Sequence, residues 1–331
     1  MKRALKAAII ALGANLVAGC VGSPTFLYPA SSVAADESEL YKILLYLAAA
    51  VFLLVEVWLL YDVIRFRRRP NDDSLPKQIY ANSPLEVVWT VIPLVVVAVI
   101  FGMTVNTVNT VAPPPAAQSD LNVHVVGHQW WWEFDYPDLG IQTANELHVP
   151  TGVRVQITLT STDVIHSFWV PQLSGKMDVI PGQINHLWFQ ADQVGEYHGQ
   201  CAEFCGLNHA NMRIKVVVES STDFQSWVAN QQKPPAEPQT DLETKGFDLI
   251  KGGICSNCHT LGDNQAKQAI GPNLTHLFSR SVFAGATFDL TEDNIRRWLT
   301  ENQTMKPGND MNVTVTPDQA NALMAYLKTL K

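Results

Sequence analysis

Cysteine and charged residues are both scarce in this sequence. It has 5 Cys in 331 residues, and Asp, Glu, Lys and Arg together make up only 16% of it. Each Cys lies in a recognisable local context, so none is left over for a separate structural disulfide. A fold that depends on disulfide bridges is therefore excluded. A chain of this length has room for about two or three domains. The five cysteines are Cys20, Cys201, Cys205, Cys255 and Cys258.

Among these few charged residues, basic side chains are fewer than acidic ones. The chain has 23 Lys and Arg against 31 Asp and Glu, a formal net charge of −8. The excess lies in residues 109–240, which have 13 acidic and 5 basic side chains. This favours a basic protein partner for that region and no nucleic-acid partner. A role in solubility alone is the alternative.

The N-terminal segment, residues 1–19, combines Lys2, Arg3 and Lys6 with an apolar run. The run has roughly a dozen residues, too short to span a bilayer, and is typical of a secretory signal. It ends in Leu-Val-Ala-Gly-Cys20, which resembles a bacterial lipobox and predicts a lipidated Cys20 as the mature N-terminus. An uncleaved anchor with an incidental Cys is the alternative.

Two longer apolar segments, residues 40–66 and 85–108, are each long enough to cross a bilayer as a helix. The loop between them, residues 67–84, begins with a run of arginines, which the positive-inside rule places in the cytoplasm. Both outer ends of the hairpin then face outward. This agrees with an exported segment at residues 20–39.

Short alternating runs follow in residues 121–219, for example Leu121–Val126 and Arg213–Val218. Alternation with period two, interrupted by Gly and Pro, predicts an antiparallel β-sandwich or barrel. Pro-rich segments flank this region at residues 109–120 and 220–240, and both are predicted to be linkers.

The most informative stretch is C-x-E-x-C-G-x-x-H-x-x-M at residues 201–212. Thiolates with imidazole favour copper, and a weak Met ligand is typical of electron-transfer copper. Two Cys separated by three residues can bridge two copper ions, and each ion then needs one His. His209 provides one, and His166 is our choice for the other. Zinc would use the same thiolates, and a disulfide between Cys201 and Cys205 is a further alternative.

The last segment, residues 241–331, carries a second cofactor motif. Cys255-Ser-Asn-Cys258-His259 is the C-x-x-C-H pattern of covalent haem c. It predicts thioether bonds from both Cys and iron ligation by His259. The flanks are also similar to cytochrome c, with Gly-Pro-Asn-Leu at residues 271–274 and an amphipathic helix over residues 317–330.

Two methionines, Met305 and Met311, compete for the second axial position on the iron. In cytochromes c the ligand tends to follow a Pro-Gly turn, and Met311 comes after Pro307 and Gly308. Pro fixes such a turn and Gly permits its dihedral angles. We therefore predict Met311 as the ligand and Met305 as a packing residue, although Asn312 stands where many cytochromes have Pro.

The copper motif, preceded by D-V-x-H-S at residues 163–167, resembles the binuclear CuA site of cytochrome c oxidase subunit II. The resemblance extends to E-x-x-W-T-x-x-P at residues 86–93 and to G-H-Q-W-x-W at residues 127–132. The resemblance covers essentially the whole chain. It is to the bacterial variant of this subunit, which has a fused cytochrome c domain. It implies a cupredoxin fold for residues 121–219.

The resemblance also implies roles for individual residues. Trp130 would be the electron port. Glu86 would lie at the cytoplasmic mouth of a proton channel in subunit I, although a carboxylate at a helix start also interacts favourably with the helix dipole. Glu203 would bind copper through its main-chain carbonyl and a magnesium ion, shared with subunit I, through its carboxylate. The side-chain copper ligands would be His166, Cys201, Cys205, His209 and Met212.

The sequence thus predicts a multidomain chain with a two-helix transmembrane hairpin, an all-β cupredoxin-like Greek-key sandwich and an all-α cytochrome c domain. Its expected role is to pass electrons from a c-type cytochrome or upstream cytochrome complex, through haem c and CuA, to oxidase subunit I. Subunit III would be a further partner in the bacterial plasma membrane, with both metal domains on the outer face. The alternatives are the small subunit of a CuA-dependent nitric oxide reductase and a membrane-anchored electron shuttle.

Overall fold

The computed structural model describes residues 24–67, 78–112, 120–252, 254–262, 270–313 and 315–331. The predicted lipid site at Cys20 lies outside the described residues, as do most of the arginine-rich loop and the Pro-rich stretch at residues 113–119. Residues 35–112 form one compact unit. A second unit comprises the described parts of residues 1–34 and 113–331.

Two long apolar helices make up the first unit. Helix α1 is Ser32–Arg65 and helix α2 is Ser83–Val111, and both are long and apolar enough to cross a membrane. Helix α1 begins at Ser32, not at residue 40, because hydropathy marks only the apolar run and a polar turn precedes it. The Ser31 hydroxyl accepts a hydrogen bond from the Ala34 amide at 3.1 Å and so caps this turn.

The start of helix α2 is fixed by two reciprocal hydrogen bonds. The Asn82 side chain accepts from the Leu85 amide at 3.3 Å, and the Asn82 amide donates to the Glu86 carboxylate at 3.1 Å. Such pairs satisfy amides that lack partners within the helix. Glu86 thus contributes to the cap of the helix, as the alternative interpretation of this residue expects.

The sandwich consists of two five-stranded sheets, with strand orders β3-β2-β1-β5-β8 and β4-β10-β9-β6-β7. The strands are β1 Leu121–His128, β2 Trp131–Tyr136, β3 Ile141–Ala144, β4 Glu146–Pro150, β5 Arg154–Ser161, β6 His166–Trp169, β7 Met177–Val179, β8 Asn185–Gln190, β9 Gly195–Cys201 and β10 Arg213–Glu219. Alternate side chains of β1, such as Val123 and Val125, are buried in the core between the sheets. The β1–β5 and β4–β10 pairs are parallel. The sheets are therefore mixed and not purely antiparallel, since alternation does not encode the direction of pairing.

Part of the second predicted linker is helical. Helix α3, Ser221–Gln231, is capped by the Ser220 hydroxyl, which accepts from the Asp223 amide at 3.2 Å. Phe224 and Trp227 pack against the sandwich core. The Pro residues that suggested a linker lie only beyond this helix.

The C-terminal domain is mainly helical. Its elements are helix α4 Asp241–Lys251, two 3₁₀ turns at Ile254–Asn257 and Leu277–Ser279, the hairpin β11 Val282–Phe283 and β12 Phe288–Asp289, helix α5 Glu292–Met305 and helix α6 Pro317–Leu327. Helices α4 and α6 pack closely at Gly246. A Cβ there would lie 2.1 Å from the Ala322 carbonyl oxygen, so only Gly allows this approach.

Candidate metal centres

Two neighbouring strands and one loop assemble the predicted copper ligands. His166 begins strand β6 and Cys201 ends strand β9, and these strands pair with Phe168 opposite Cys201. The remaining ligands lie on the loop from residue 202 to Met212, just before strand β10. Strands β6 and β9 thus fix two ligands, and the loop brings the others to them.

Each of the two sulfur atoms has its own imidazole. Cys201 Sγ lies 3.8 Å from Cys205 Sγ, with His166 Nδ1 3.9 Å from the former and His209 Nδ1 3.6 Å from the latter. Met212 Sδ lies 3.8 Å from Cys205 Sγ. This arrangement has the symmetry that two bridging thiolates and one His per metal ion require. A disulfide between the two Cys would leave no thiolate to bridge metal ions.

Burial and backbone conformation complete the copper site. His166, Met212 and both Cys are buried. The main-chain oxygen of Glu203 lies 3.2 Å from Cys201 Sγ while its side chain is exposed. The loop turns at Gly206, whose φ of +112° is one that other residues rarely adopt. The donor atoms are therefore sulfur, imidazole and one carbonyl, and most of the side chains that carry them are buried.

Asp163 orients the first imidazole, a role that the sequence analysis did not assign. Its carboxylate lies 2.8 Å from His166 Nε2 and accepts a hydrogen bond from the Gln129 amide at 2.6 Å. Burial alone would lower the pKa of His166, but the hydrogen bonds to Asp163 and Cys201 outweigh it and raise that pKa. Because Nε2 is engaged, Nδ1 is left to face the sulfurs, as is usual for metal-binding His. In the sequence, the role of Asp163 is indicated by its place three residues before His166 in the D-V-x-H motif.

The chemistry of the two thiols favours metal ions over protons. The Cys205 thiol, which can donate to a Cys201 thiolate, lowers the pKa of Cys201, and the same pairing raises the pKa of Cys205. Two thiolates in one buried site repel unless cations compensate them. Two copper ions would supply that compensation and would displace the shared proton. The residues therefore fit a binuclear copper centre.

A cavity suited to haem is lined mainly by the C-terminal domain and in part by the sandwich. Its lining includes Cys255, Cys258, His259 and Met311, together with apolar side chains of the domain core. His259 Nδ1 lies 2.8 Å from the Pro272 carbonyl oxygen, so it donates there and leaves Nε2 for the iron. Burial lowers the pKa of His259 and keeps the imidazole neutral, as a metal ligand requires.

Met311 and Met305 occupy different surroundings. Met311 lines the cavity, and its Sδ accepts a hydrogen bond from Trp298 Nε1 at 3.0 Å. Met305, at the end of helix α5, packs against the domain core. Within the described residues, Met311 therefore has the position expected of the predicted iron ligand.

A buried guanidinium supports the fit of the cavity to haem. Arg280 is buried and lines the cavity, and its Nη2 donates to the Asn273 carbonyl at 2.7 Å while its Nε has no partner. Burial lowers the pKa of Arg280 to about 10. The unpartnered Nε of this buried guanidinium calls for an acceptor, and a propionate of haem would supply one. Arg280 belongs to no recognisable motif, so its role could not be predicted from the sequence.

Trp130 lies between the two centres. Its Nε1 donates to the Cys205 carbonyl at 2.9 Å, and its side chain is part of the lining of the haem cavity. Gln129 Nε2 donates to the same carbonyl at 2.6 Å. Trp130 is therefore in contact with the main chain of a copper ligand on one side and with the haem cavity on the other.

The two domains also meet at a buried carboxylate. Glu146, at the start of strand β4, accepts hydrogen bonds from the Ser281 amide at 2.8 Å and the Val282 amide at 3.1 Å, and also from the Ser281 hydroxyl. Lys215 Nζ donates to the Ser281 hydroxyl at 2.6 Å. His148 Nε2 lies 3.8 Å from the Glu146 carboxylate. This polar cluster joins the sandwich to the C-terminal domain.

The charge states at this cluster predict how its contribution to stability changes with pH. Burial alone would raise the pKa of Glu146 and lower that of His148, but hydrogen bonds shift both the other way, below 4.5 for Glu146 and above 6.5 for His148. The contribution of Glu146 is present above its ordinary pKa and is lost as the pH falls through the lowered value. That of His148 is present below its ordinary pKa and is lost as the pH rises through the raised value. The contribution of this cluster to the stability of the folded protein should therefore be greatest between about pH 4.5 and 6.5.

Hydrogen exchange of the Ser281 and Val282 amides, which donate to Glu146, over a pH series and corrected for intrinsic rates, measures the stability of this cluster. The other charged groups around the pair are Glu219 and Lys215 of β10, Glu196 of β9 and Arg280. His148→Gln should remove the alkaline decline and leave the acid decline in place. An alkaline decline that persists in His148→Gln would assign it to another of these groups.

Comparison with known proteins covers all parts of the chain. Residues 23–104 match the family model for the transmembrane domain of cytochrome c oxidase subunit II, residues 140–221 match its periplasmic domain, and residues 244–331 match cytochrome c. The chain is 35% identical to cytochrome c oxidase subunit 2 of Bacillus subtilis (strain 168), over 98% of this chain and 96% of that protein. It is also 35% identical to the protein of the same name from Alkalihalophilus pseudofirmus, over 81% of this chain and 79% of the relative.

One solved structure matches part of the chain. The periplasmic domain of subunit II of cytochrome oxidase from Bradyrhizobium japonicum is 35% identical, with a TM-score of 0.34. It covers 35% of this chain and 95% of that chain.

Proposed function

Because the chain belongs to the cytochrome c oxidase subunit II family and ends in a cytochrome c domain, we propose that it is the electron-entry subunit of a haem–copper oxidase. It is part of an oxidoreductase complex and is anchored in the membrane together with other oxidase subunits. Electrons from a c-type cytochrome or an upstream cytochrome complex would enter at haem c, move to CuA and leave for subunit I.

The copper centre would be held by the side chains of His166, Cys201, Cys205, His209 and Met212 and by the main-chain oxygen of Glu203. Such a pair of copper ions supplies one-electron transfer with little change in geometry. The protein residues bury most of the ligand side chains, fix the imidazole of His166 through Asp163, and hold the ligands on strands and a short loop. A rigid set of ligands lowers the reorganisation that accompanies each electron.

The haem would be attached through Cys255 and Cys258 and ligated by His259 and Met311, with Arg280 positioned for a propionate. Haem c supplies one-electron chemistry at an iron whose potential depends on its axial ligands. The domain around it contributes a neutral His259 and a hydrogen bond from Trp298 to the Met311 sulfur.

The observation that carries this proposal is the position of Trp130. It lines the haem cavity and donates a hydrogen bond to the carbonyl of Cys205, so one side chain connects the two centres. A membrane-anchored electron shuttle would have no need of a second, internal acceptor beside its haem. The same position supports Trp130 as the port through which electrons reach the copper.

The surface next to the copper loop supports a membrane partner. Glu203 is exposed, and its neighbours Phe204 and Leu207 have 77% and 72% of their surface exposed. An apolar patch with one free carboxylate fits a contact with subunit I, where Glu203 would share a magnesium ion. Glu86 would lie at the mouth of the proton channel of subunit I. The positive-inside rule would place the metal domains on the outer face and a lipidated Cys20 beside them.

Turnover of the purified complex tests the reaction. We expect oxygen consumption with a reduced c-type donor and, in the same sample, a two-copper electron paramagnetic resonance signal and a haem c absorbance spectrum. Nitric oxide reduction without oxygen consumption would instead assign the chain to a CuA-dependent nitric oxide reductase. Zinc as the only metal in the sandwich domain would remove the electron-transfer proposal altogether.

A further inference from the structure

Lys306 is a buried lysine at the junction of the two metal domains. It follows helix α5, and only 3% of its surface is exposed. Its Nζ donates to the carbonyl oxygens of Trp130 at 2.7 Å, Ala284 at 2.8 Å and Asn211 at 2.9 Å. An ammonium group has three N–H donors, so all three are satisfied by the main chain.

The three carbonyls come from three segments with different roles. Trp130 is the proposed electron port, Asn211 precedes the copper ligand Met212, and Ala284 lies in the turn between β11 and β12 of the haem domain. Lys306 itself is five residues before Met311. One side chain therefore joins the port and the copper loop to the two loops of the haem domain.

Neighbouring contacts complete the same junction. The Arg213 amide donates to the Gly285 carbonyl at 2.8 Å, and the Thr287 hydroxyl donates to the Asn211 carbonyl at 2.7 Å. A Cβ at Gly285 would lie 2.6 Å from the Trp130 oxygen, 2.7 Å from Lys306 Nζ and 2.8 Å from the Asn211 oxygen. The junction is so closely packed that it has no room for a methyl group.

We propose that Lys306 is a positioning residue that fixes the haem domain against Trp130 and the copper loop in one geometry for electron transfer. A buried ammonium that loses one acceptor is left partly unsatisfied, and this is costly. Any movement of the haem domain away from the sandwich would break at least two of its three hydrogen bonds. The domain is therefore docked at a defined place and does not sample positions at the end of a flexible linker.

Hydrogen exchange of the intact protein tests the docking without reference to electron transfer. Lys306→Met keeps the length and apolar stem of the side chain but removes its donors. We expect exchange of the Arg213 amide, whose acceptor is across the junction, to accelerate about tenfold or more. Lys328→Met, a surface lysine of the same domain that pairs with Glu292, is the matched control and should leave this amide unchanged. Unchanged protection of Arg213 in Lys306→Met would overturn the proposal.

A second variant distinguishes the effect of domain position from the effect of the Lys306 charge. Gly285→Ala pushes into the same junction and retains the Lys306 ammonium, and its positive φ of +75° adds strain. Both variants should slow flash-initiated electron transfer from haem to copper by about tenfold or more, as small misplacements of reacting groups do. If electron transfer slows in Lys306→Met but not in Gly285→Ala, and the copper potential shifts, then Lys306 acts through its charge. That result would overturn the proposal that Lys306 is a positioning residue.

This inference rests on the proposed function only for its kinetic consequence. If the wild-type protein lacks the two-copper signal or shows no transfer from haem to copper, the proposed function fails. The exchange experiment still decides whether Lys306 fixes the junction. If wild-type transfer is normal and neither variant changes it, the positioning role fails alone.

Discussion

Replacing Cys201 with Ser should abolish the two-copper electron paramagnetic resonance signal. The two sulfurs lie 3.8 Å apart and each faces its own imidazole. A serine hydroxyl is a harder and far less acidic donor, so it cannot bridge two copper ions with Cys205 as an equivalent partner. Mutation of a group that supports a metal ligand costs roughly 10- to 100-fold. Loss of the ligand itself should reduce electron transfer from the haem domain by more than that.

Two variants calibrate that result. Asp163→Asn leaves all copper ligands in place but weakens the contact with His166 Nε2, and should cost about 10- to 100-fold in copper affinity or activity. Met212→Leu should retain both copper ions and change their potential, because a thioether is a weak ligand. Thiol titration of the apo protein and unfolding curves would show whether Cys201→Ser still folds. A two-copper signal that survives in folded Cys201→Ser would refute the bridging role of this residue.

The copper and haem ligands can be proposed from the sequence because cofactor chemistry fixes both residue type and spacing. C-x-x-C-H and the 201–212 motif can be read without knowing the fold. His166 lies 35 residues before Cys201. It was chosen from its own local motif, and the structure adds the pairing of β6 with β9 that brings the two residues together.

Residues at the junction of the domains could not be predicted in the same way. Lys306, Glu146 and Arg280 are charged residues in otherwise ordinary sequence, and charge usually indicates a solvent-exposed position. Their burial depends on how two domains far apart in the chain pack together. Similarly, the Pro-rich segment near residue 235 was predicted to be a linker between domains. There, the Lys233 carbonyl lies 3.1 Å from His276 Nε2, and the Tyr326 hydroxyl donates to the Ala236 carbonyl at 2.8 Å, so this segment is bound to the haem domain.

Replacing Met311 with Ala should remove the sulfur–iron charge-transfer band near the red end of the spectrum and lower the haem potential. Methionine ligation raises that potential, and axial ligands set haem potentials over a range of roughly 0.8 V. The donor would then no longer reduce the haem efficiently, and turnover through the haem domain should fall. Redox titration and absorbance spectroscopy of the purified protein measure both changes.

Two further variants make the assignment of Met311 decisive. Met305→Ala removes a partly buried side chain and should destabilise the domain by less than the roughly 2–5 kcal/mol of a fully buried Met, while the charge-transfer band remains. Trp298→Phe removes the 3.0 Å hydrogen bond to the Met311 sulfur but keeps the ligand. The sulfur then donates more electron density to the iron, so the band should persist while the potential falls by less than in Met311→Ala. If the band instead survives in Met311→Ala and disappears in Met305→Ala, then Met305 is the ligand and the Pro-Gly turn has a structural role only.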